Sequence, residues 1–249
     1  HVPIVATVDD FGRNGAAPSH PELLDWLAVE FIENNWSMKR LHRLIVTSNA
    51  YRRSSSQTQK SNSDRTQKLD PDNTFLWRMN VGRMEAEVIR DSLLSMGEAL
   101  DLTRGGPPVM ASPDVRRRSL YYFHSRDNRS KFLNTFDDAD VFGCYRRSET
   151  IVPQQALAMM NSPLATAAAK QIATTFDTDL SREEFVRTAF LTILARQPND
   201  SELTVSLSYL NKHPTREHFI TALINLNAVS YTHIRAHETV LDLVCRLLL

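Results

Sequence analysis

The chain has 249 residues, in which 29 Lys and Arg balance 29 Asp and Glu for a formal net charge of 0. That neutrality gives no global attraction to nucleic acid or to an anionic membrane. Hydrophobic content of 42% with 23% charged residues is that of an ordinary globular protein, long enough for one large or two small cores.

Seven glycines, with no G-x-G-x-x-G and no G-x-x-x-x-G-K-[ST], leave no phosphate-cradling loop and favour helix. Two cysteines, Cys144 and Cys245, make neither a disulfide framework nor a four-ligand zinc set. No C-x-x-C-H attaches a c-type haem, and no apolar run reaches the roughly eighteen residues of a membrane span. The chain opens at His1 and its first methionine is Met38, so it reads as a fragment.

Residues 1–18 read as an extended, turn-rich lead-in. Ser19 and Glu22 then form an S-x-x-E capping pattern, with Pro21 in the first turn. Leu23, Leu24, Leu27, Phe31 and Ile32 follow at helical spacing, with Trp26 close to the stripe. Ser37 is the cap of a second helix carrying Leu41, Leu44, Ile45 and Ser48, so ENNW predicts the turn of an antiparallel pair.

Residues 52–73 contain one strong hydrophobe, Leu69, and read as a mobile surface loop. A third helix is expected from about Arg83 to Leu100, with Met84, Val88, Ser92, Leu93 and Met96 on one side. TRGGPPV breaks it. SLYYFH, at 119–124, is aromatic enough for a short strand.

Helical texture returns after Val152. Pro153 suits a first turn before QQALAMMNS, LATAAAKQIATTF continues, and Ser181 with Glu184 makes a second capping pattern. Two further short helices are expected around Leu203–Leu210 and Glu217–Leu226. The predicted fold class is mainly α: an irregular helical domain over 19–227, with a polar loop at 52–73 and at most one or two short strands.

Chemistry is sparse. A His–Asp couple could orient an imidazole for base catalysis, and His20, Asp25 and His42 sit near the first helix pair. The plainer reading makes His20 a turn residue and Asp25 a solvated acid. Arg78, Arg83 and Arg90 accompany Glu85, Glu87 and Asp91; the arginines could grip a carboxylate or sugar hydroxyl, or simply lace a helix face. Arg116, Arg117, Arg118, Arg126, Arg129 and Lys131 flank Tyr121, Tyr122, Phe123 and His124, a pattern that can stack single-stranded nucleic acid. Asp137, Asp138 and Asp140 follow at once, which favours internal pairing. Cys144 reads as a packed thiol.

His233 and His237 stand four apart with Glu238 adjacent, a spacing that stacks two imidazoles on one helix face but supplies no third metal ligand.

Long segments carry a resemblance: DDFGRNGAAPSHPELLDWLAVEF, DPDNTFLWRMNVGRMEAEVIRDSLL, RRRSLYYFHSRD, TIVPQQALAMMN and FVRTAFLTILARQPNDSEL, in this order. From about Thr7 to Asn227 the chain closely resembles the planctomycete-type C-terminal domain called domain of unknown function 1553. The resemblance implies the end of a large secreted bacterial protein, from Planctomycetes or related marine bacteria. Upstream it implies a signal peptide, a cytochrome-like domain with C-x-x-C-H and c-type haem, and a second cytochrome-associated domain. It implies an extracytoplasmic location; the family has no established activity, so no catalytic residues carry over from it.

After Asn227 the chain departs from the family's ending. The string AVSYTHIRAHETVLDLVCRLLL resembles a tail recurring on unrelated metagenomic fragments, so residues 228–249, with His233, His237, Glu238 and Cys245, are expected to be non-native and to hold no metal.

The first functional expectation is an accessory or interaction module with no cofactor of its own. Its partners would be the upstream domains, a polysaccharide or a redox partner, without nucleic acid and without a membrane span. The alternative is an enzyme domain acting on polysaccharide or sulfated sugar, with His20, Asp25, Arg83, Glu87 and Asp91 as the residues to test. A nucleic-acid surface over 116–131 is the third.

Overall fold

A computed structural model describes residues 3–10, 12–55, 63–80, 82–141, 143, 150 and 153–226. Cys144 and the whole His233, His237, Glu238 and Cys245 stretch lie outside the described residues. The chain divides into two compact units, one ending at Gly82 and the other beginning at Arg83. The described residues are mainly helical, with ten α-helices and no β-strand.

In the first unit, α1 (Pro21–Glu33) and α2 (Met38–Thr47) pack together as the predicted hairpin. Asn35 and Trp36 both take left-handed φ values, 54° and 57°, and so reverse the chain within a few residues. The turn is fastened from both sides. Asn34 Nδ2 donates to the Glu30 carbonyl and carboxylate, and the Trp36 amide donates to the Phe31 carbonyl at 2.9 Å.

Ser37 caps α2, its Oγ accepting from the Arg40 amide. The first capping pattern does not form. The cap residue of α1 is His20, and Ser19, one position too early, donates its hydroxyl to the Ile4 carbonyl instead. Pro21 at the first helical position presents no N–H, so the lost cap leaves one donor fewer to satisfy.

The tract expected to be a loop contains a short helix, α3 (Ser63–Leu69), and then a tightly built turn. The Asp70 carboxylate accepts the amides of Thr74 and Phe75 at 2.8 and 2.9 Å. Asn73, in left-handed backbone, donates through Nδ2 to the Arg78 carbonyl at 2.7 Å. Side chains that fold back on local backbone order a polar stretch that hydrophobic counting alone reads as loose.

The second unit holds α4 (Ala86–Met96), α5 (Lys131–Thr135), α6 (Pro153–Asn161), α7 (Pro163–Thr175), α8 (Arg182–Leu194), α9 (Asp200–Lys212) and α10 (Arg216–Ile224). Its core runs through Ile89, Leu93, Phe136, Ile172, Phe185, Val186, Ile220 and Ile224, each 1% exposed or less. Fully removing such a side chain from water stabilises by about 1.5–3 kcal/mol.

α7 packs on α4, α6 and α10, and α10 also meets α8 and α9. Aromatic rings join them: Phe176 stands edge-on to Phe185 at 5.3 Å, and Phe185 lies 5.7 Å from Phe219. Several helix starts are capped by side chains, whereas α4 and α10 lack a side-chain cap. Ser181 with Glu184 forms the predicted capping box, and Asn199 with Glu202 forms a second that the S-x-x-E pattern does not reveal.

The segment SLYYFH makes a 3-10 turn at Ser119–Tyr121, where a strand is possible by composition. An isolated bridge of Val109 with Tyr122, and the Gly105 amide donating to the Tyr121 hydroxyl at 2.9 Å, tie it to the preceding loop. Tyr121 and Tyr122 there lie under Arg117 and Arg90.

Candidate functional site

Arginines hold the long loops of the second unit in place. Arg90 sits on the buried side of α4, 2% exposed. Its Nη1 donates to Asp91 Oδ1 and to the Arg117 carbonyl, each at 3.0 Å, and to Ser119 Oγ at 3.2 Å. Its Nη2 donates to the Val115 carbonyl, and the guanidinium lies over the Tyr122 ring at 4.6 Å. Asp91 completes the knot by accepting the Ser119 amide at 3.0 Å and its hydroxyl at 2.7 Å. Burial pushes the Tyr122 hydroxyl above its ordinary value, opposed by the neighbouring Arg90 charge.

Arg83 makes the second knot. It donates to the carbonyls of Phe136 and Thr150 and meets Asp137 at 2.9 Å. Asp137, at a left-handed φ of 58°, in turn accepts the Thr150 amide and hydroxyl at 2.8 and 2.9 Å. Arg117 reaches the carbonyls of Gly105 and Pro107 while lying 4.1 Å over the Tyr121 ring. Gly105 and Gly106 adopt φ of 74° and 91°, so this turn requires glycine. Arg216 donates to the carbonyls of Asp177, Thr178 and Leu180 and covers Phe185 at 4.7 Å. A guanidinium offers five donors in a fixed fork, so one side chain satisfies several buried carbonyls at once.

These contacts locate the residues singled out by sequence. His20 and Asp25 belong to the first unit, and Arg83, Glu87 and Asp91 to the second. His20 accepts or donates at Ser19 Oγ, 2.9 Å away, and stands edge-on to Phe75 at 6.4 Å. Asp25 and His42 are exposed. Arg83 and Asp91 are brought into the two knots, and Glu87 is half-buried on α4. In the basic–aromatic segment, Arg117 pairs with Tyr121, and Arg129 with Asp140 at 3.6 Å. The anchoring role of Arg90 and Arg216 toward backbone carbonyls leaves no sequence motif; their only trace is a basic residue on an otherwise apolar helix face.

The α1–α2 hairpin differs from the second unit in one respect: neither helix buries a residue. Leu23, Leu27 and Phe31 are half-buried, whereas Leu24, Trp26, Val29 and Ile32 are 39–54% exposed. The predicted single stripe is therefore two faces, the second formed by Leu24, Ala28 and Ile32 at four-residue steps. Beside the first face, α1 and α2 enclose a groove of about 220 Å³ lined by Glu30, Phe31, Asn34, Arg40, Arg43 and Thr47, among others. Among the described residues no group of three or more His, Cys, Asp or Glu side chains gathers, and no helix is long and apolar enough to cross a membrane.

The fold is thus a helical domain whose irregular loops are pinned by arginine. A family model described as PSD1, protein of unknown function (DUF1553), matches residues 1–210, and the chain belongs to that family. No curated protein and no solved structure matches the chain.

Proposed function

We propose that this domain is an accessory or interaction module at the C-terminal end of a larger, secreted, haem-associated bacterial protein, and that α1 is its docking helix. The observation that carries the reading is the second apolar face of α1. An apolar helix face belongs against other protein, yet Leu24 and Ile32, with Ala28 between them, stand 39% and 54% exposed. Clustered exposed apolar side chains of this kind mark contact surfaces.

The partner is an upstream domain of the same longer chain, with c-type haem bound there and not in this domain. The polar residues of the second unit support a non-catalytic role, because Arg83, Arg90 and Asp91 direct their polar atoms at loop backbone. Two experiments test the reading. Sequence of the source locus upstream of this segment is expected to encode C-x-x-C-H. In a Trp36→Phe, Trp77→Phe background, the encoded upstream segment added in trans is expected to blue-shift the emission of Trp26, and the Ile32→Glu variant is expected to abolish that shift. A locus without C-x-x-C-H, or an upstream segment that leaves the emission unchanged, overturns it.

A further inference from the structure

The groove between α1 and α2 carries an inference separate from the docking face. Its floor is apolar, made by Phe31, Leu41 and Leu44. It is also lined by two arginines, Arg40 and Arg43, three positions apart on one helix. Among the described residues no carboxylate pairs with either of them. This contrasts with Arg83, Arg90, Arg117 and Arg216, whose donors are consumed by the protein itself.

One acid, Glu30, also lines the groove, and its carboxylate is occupied by Asn34 Nδ2 at 2.9 Å. Two cations against one anion leave the site net positive. The two hydroxyls at the rim are turned to the helix: Ser37 Oγ accepts from the Arg40 amide and Thr47 Oγ1 donates to the Arg43 carbonyl at 2.7 Å.

We propose that this groove binds a small ring compound bearing one carboxylate, with the carboxylate on Arg40 and Arg43 and the ring on Phe31, Leu41 and Leu44. A guanidinium fork matches a carboxylate with two parallel hydrogen bonds, which a point charge does not reproduce. A groove of about 220 Å³ has room for a six-membered ring with its head group. The apolar floor supplies what a bare inorganic anion cannot use.

The experiment is a titration of the full chain followed by ¹H–¹⁵N shifts of residues 30–47, using benzoate, glucuronate and inorganic sulfate as probes at constant ionic strength. At least one of the two ring carboxylates is expected to give a saturable shift in this segment, and to bind about tenfold more tightly than sulfate. Which of the two binds identifies the ring as aromatic or as a sugar. Arg40→Gln and Arg43→Gln each are expected to weaken binding about tenfold, whereas Arg52→Gln, also exposed, is expected to leave it unchanged. Arg40→Lys keeps the charge and is expected to recover only part of the loss. Both arginines are exposed, so the variants are expected to keep the parent's circular dichroism and melting temperature. The proposal is overturned by the absence of saturable shifts with either ring carboxylate, by sulfate binding equally well, or by undiminished binding in the glutamine variants.

Discussion

Arg90 and Asp91, neighbours on α4, are joined at 3.0 Å; together they fix Ser119, twenty-eight residues beyond Asp91, by its amide and its hydroxyl, and Arg90 also holds the Arg117 carbonyl two residues before it. The 3-10 turn at Ser119–Tyr121 is therefore placed by two charged side chains rather than by a strand partner. Loops that run 30 residues without a sheet need such anchors, because buried carbonyls left without donors are costly.

Replacing Arg90 by Met tests the anchor. The change keeps much of the volume but leaves the Val115 and Arg117 carbonyls without this donor and the Asp91 carboxylate without its charge partner. Removing one partner of a buried pair costs about 3 kcal/mol or more. Urea denaturation is expected to show a loss of that size. A loss under about 1 kcal/mol would mean the contacts contribute little to holding the loop.

Arg83 and Asp137 form the second anchor, and their interaction can be isolated by a double-mutant cycle with Arg83→Ala and Asp137→Ala. Both residues also bind Thr150, so the three act as one network. A coupling energy of about 1–3 kcal/mol is expected. Strict additivity of the two losses would contradict it.

The two S-x-x-E patterns predict opposite outcomes. Ser181→Ala removes a true cap, with the Ser181 hydroxyl accepting the Glu184 amide, and is expected to destabilise by about 1 kcal/mol. Ser19 lies outside the α1 cap position, so Ser19→Ala is expected to cost no more than about half as much. Thermal melts of the two variants compare them directly.

Arg196 beside Glu202 holds that carboxyl below its ordinary value of 4.5, with the Asn199 amide assisting. The folded value lies below the unfolded one, so this pair stabilises the fold above the unfolded value and ceases to do so as pH falls through the folded one. Each side chain is about one-third exposed, which limits the effect to about 1 kcal/mol. The stability gap between the parent and Glu202→Gln is expected to be full at pH 6 and to close on acidification below about pH 4.5. A gap that stays constant to low pH would place its origin elsewhere.

Much of the helical scaffold is legible from spacing and caps: the hairpin turn at Asn34–Trp36, Ser37, Pro153 and the Ser181 box all stand where the pattern puts them. Periodicity is a local signal, and these features are local. What it misses is set by distant partners. The apolar stripe of α1 reads as one face because spacing cannot say which side α2 covers. Likewise Arg90 reads as one member of a laced helix surface, since nothing local announces carbonyls 25 and 27 residues away. The groove of Arg40 and Arg43 stays hidden for the same reason, requiring α1 and α2 side by side before its lining exists.

The exposed face of α1 is tested most directly by maleimide labelling of an Ala28→Cys variant. Ala28 is exposed here, between Leu24 and Ile32 on that face. Labelling is followed by peptide mass spectrometry, in this chain alone and in the protein encoded by the full source locus. Rapid labelling of the isolated chain and strong protection in the longer protein are the predicted results. Equal labelling rates in both would contradict the docking helix and, with it, the interaction module.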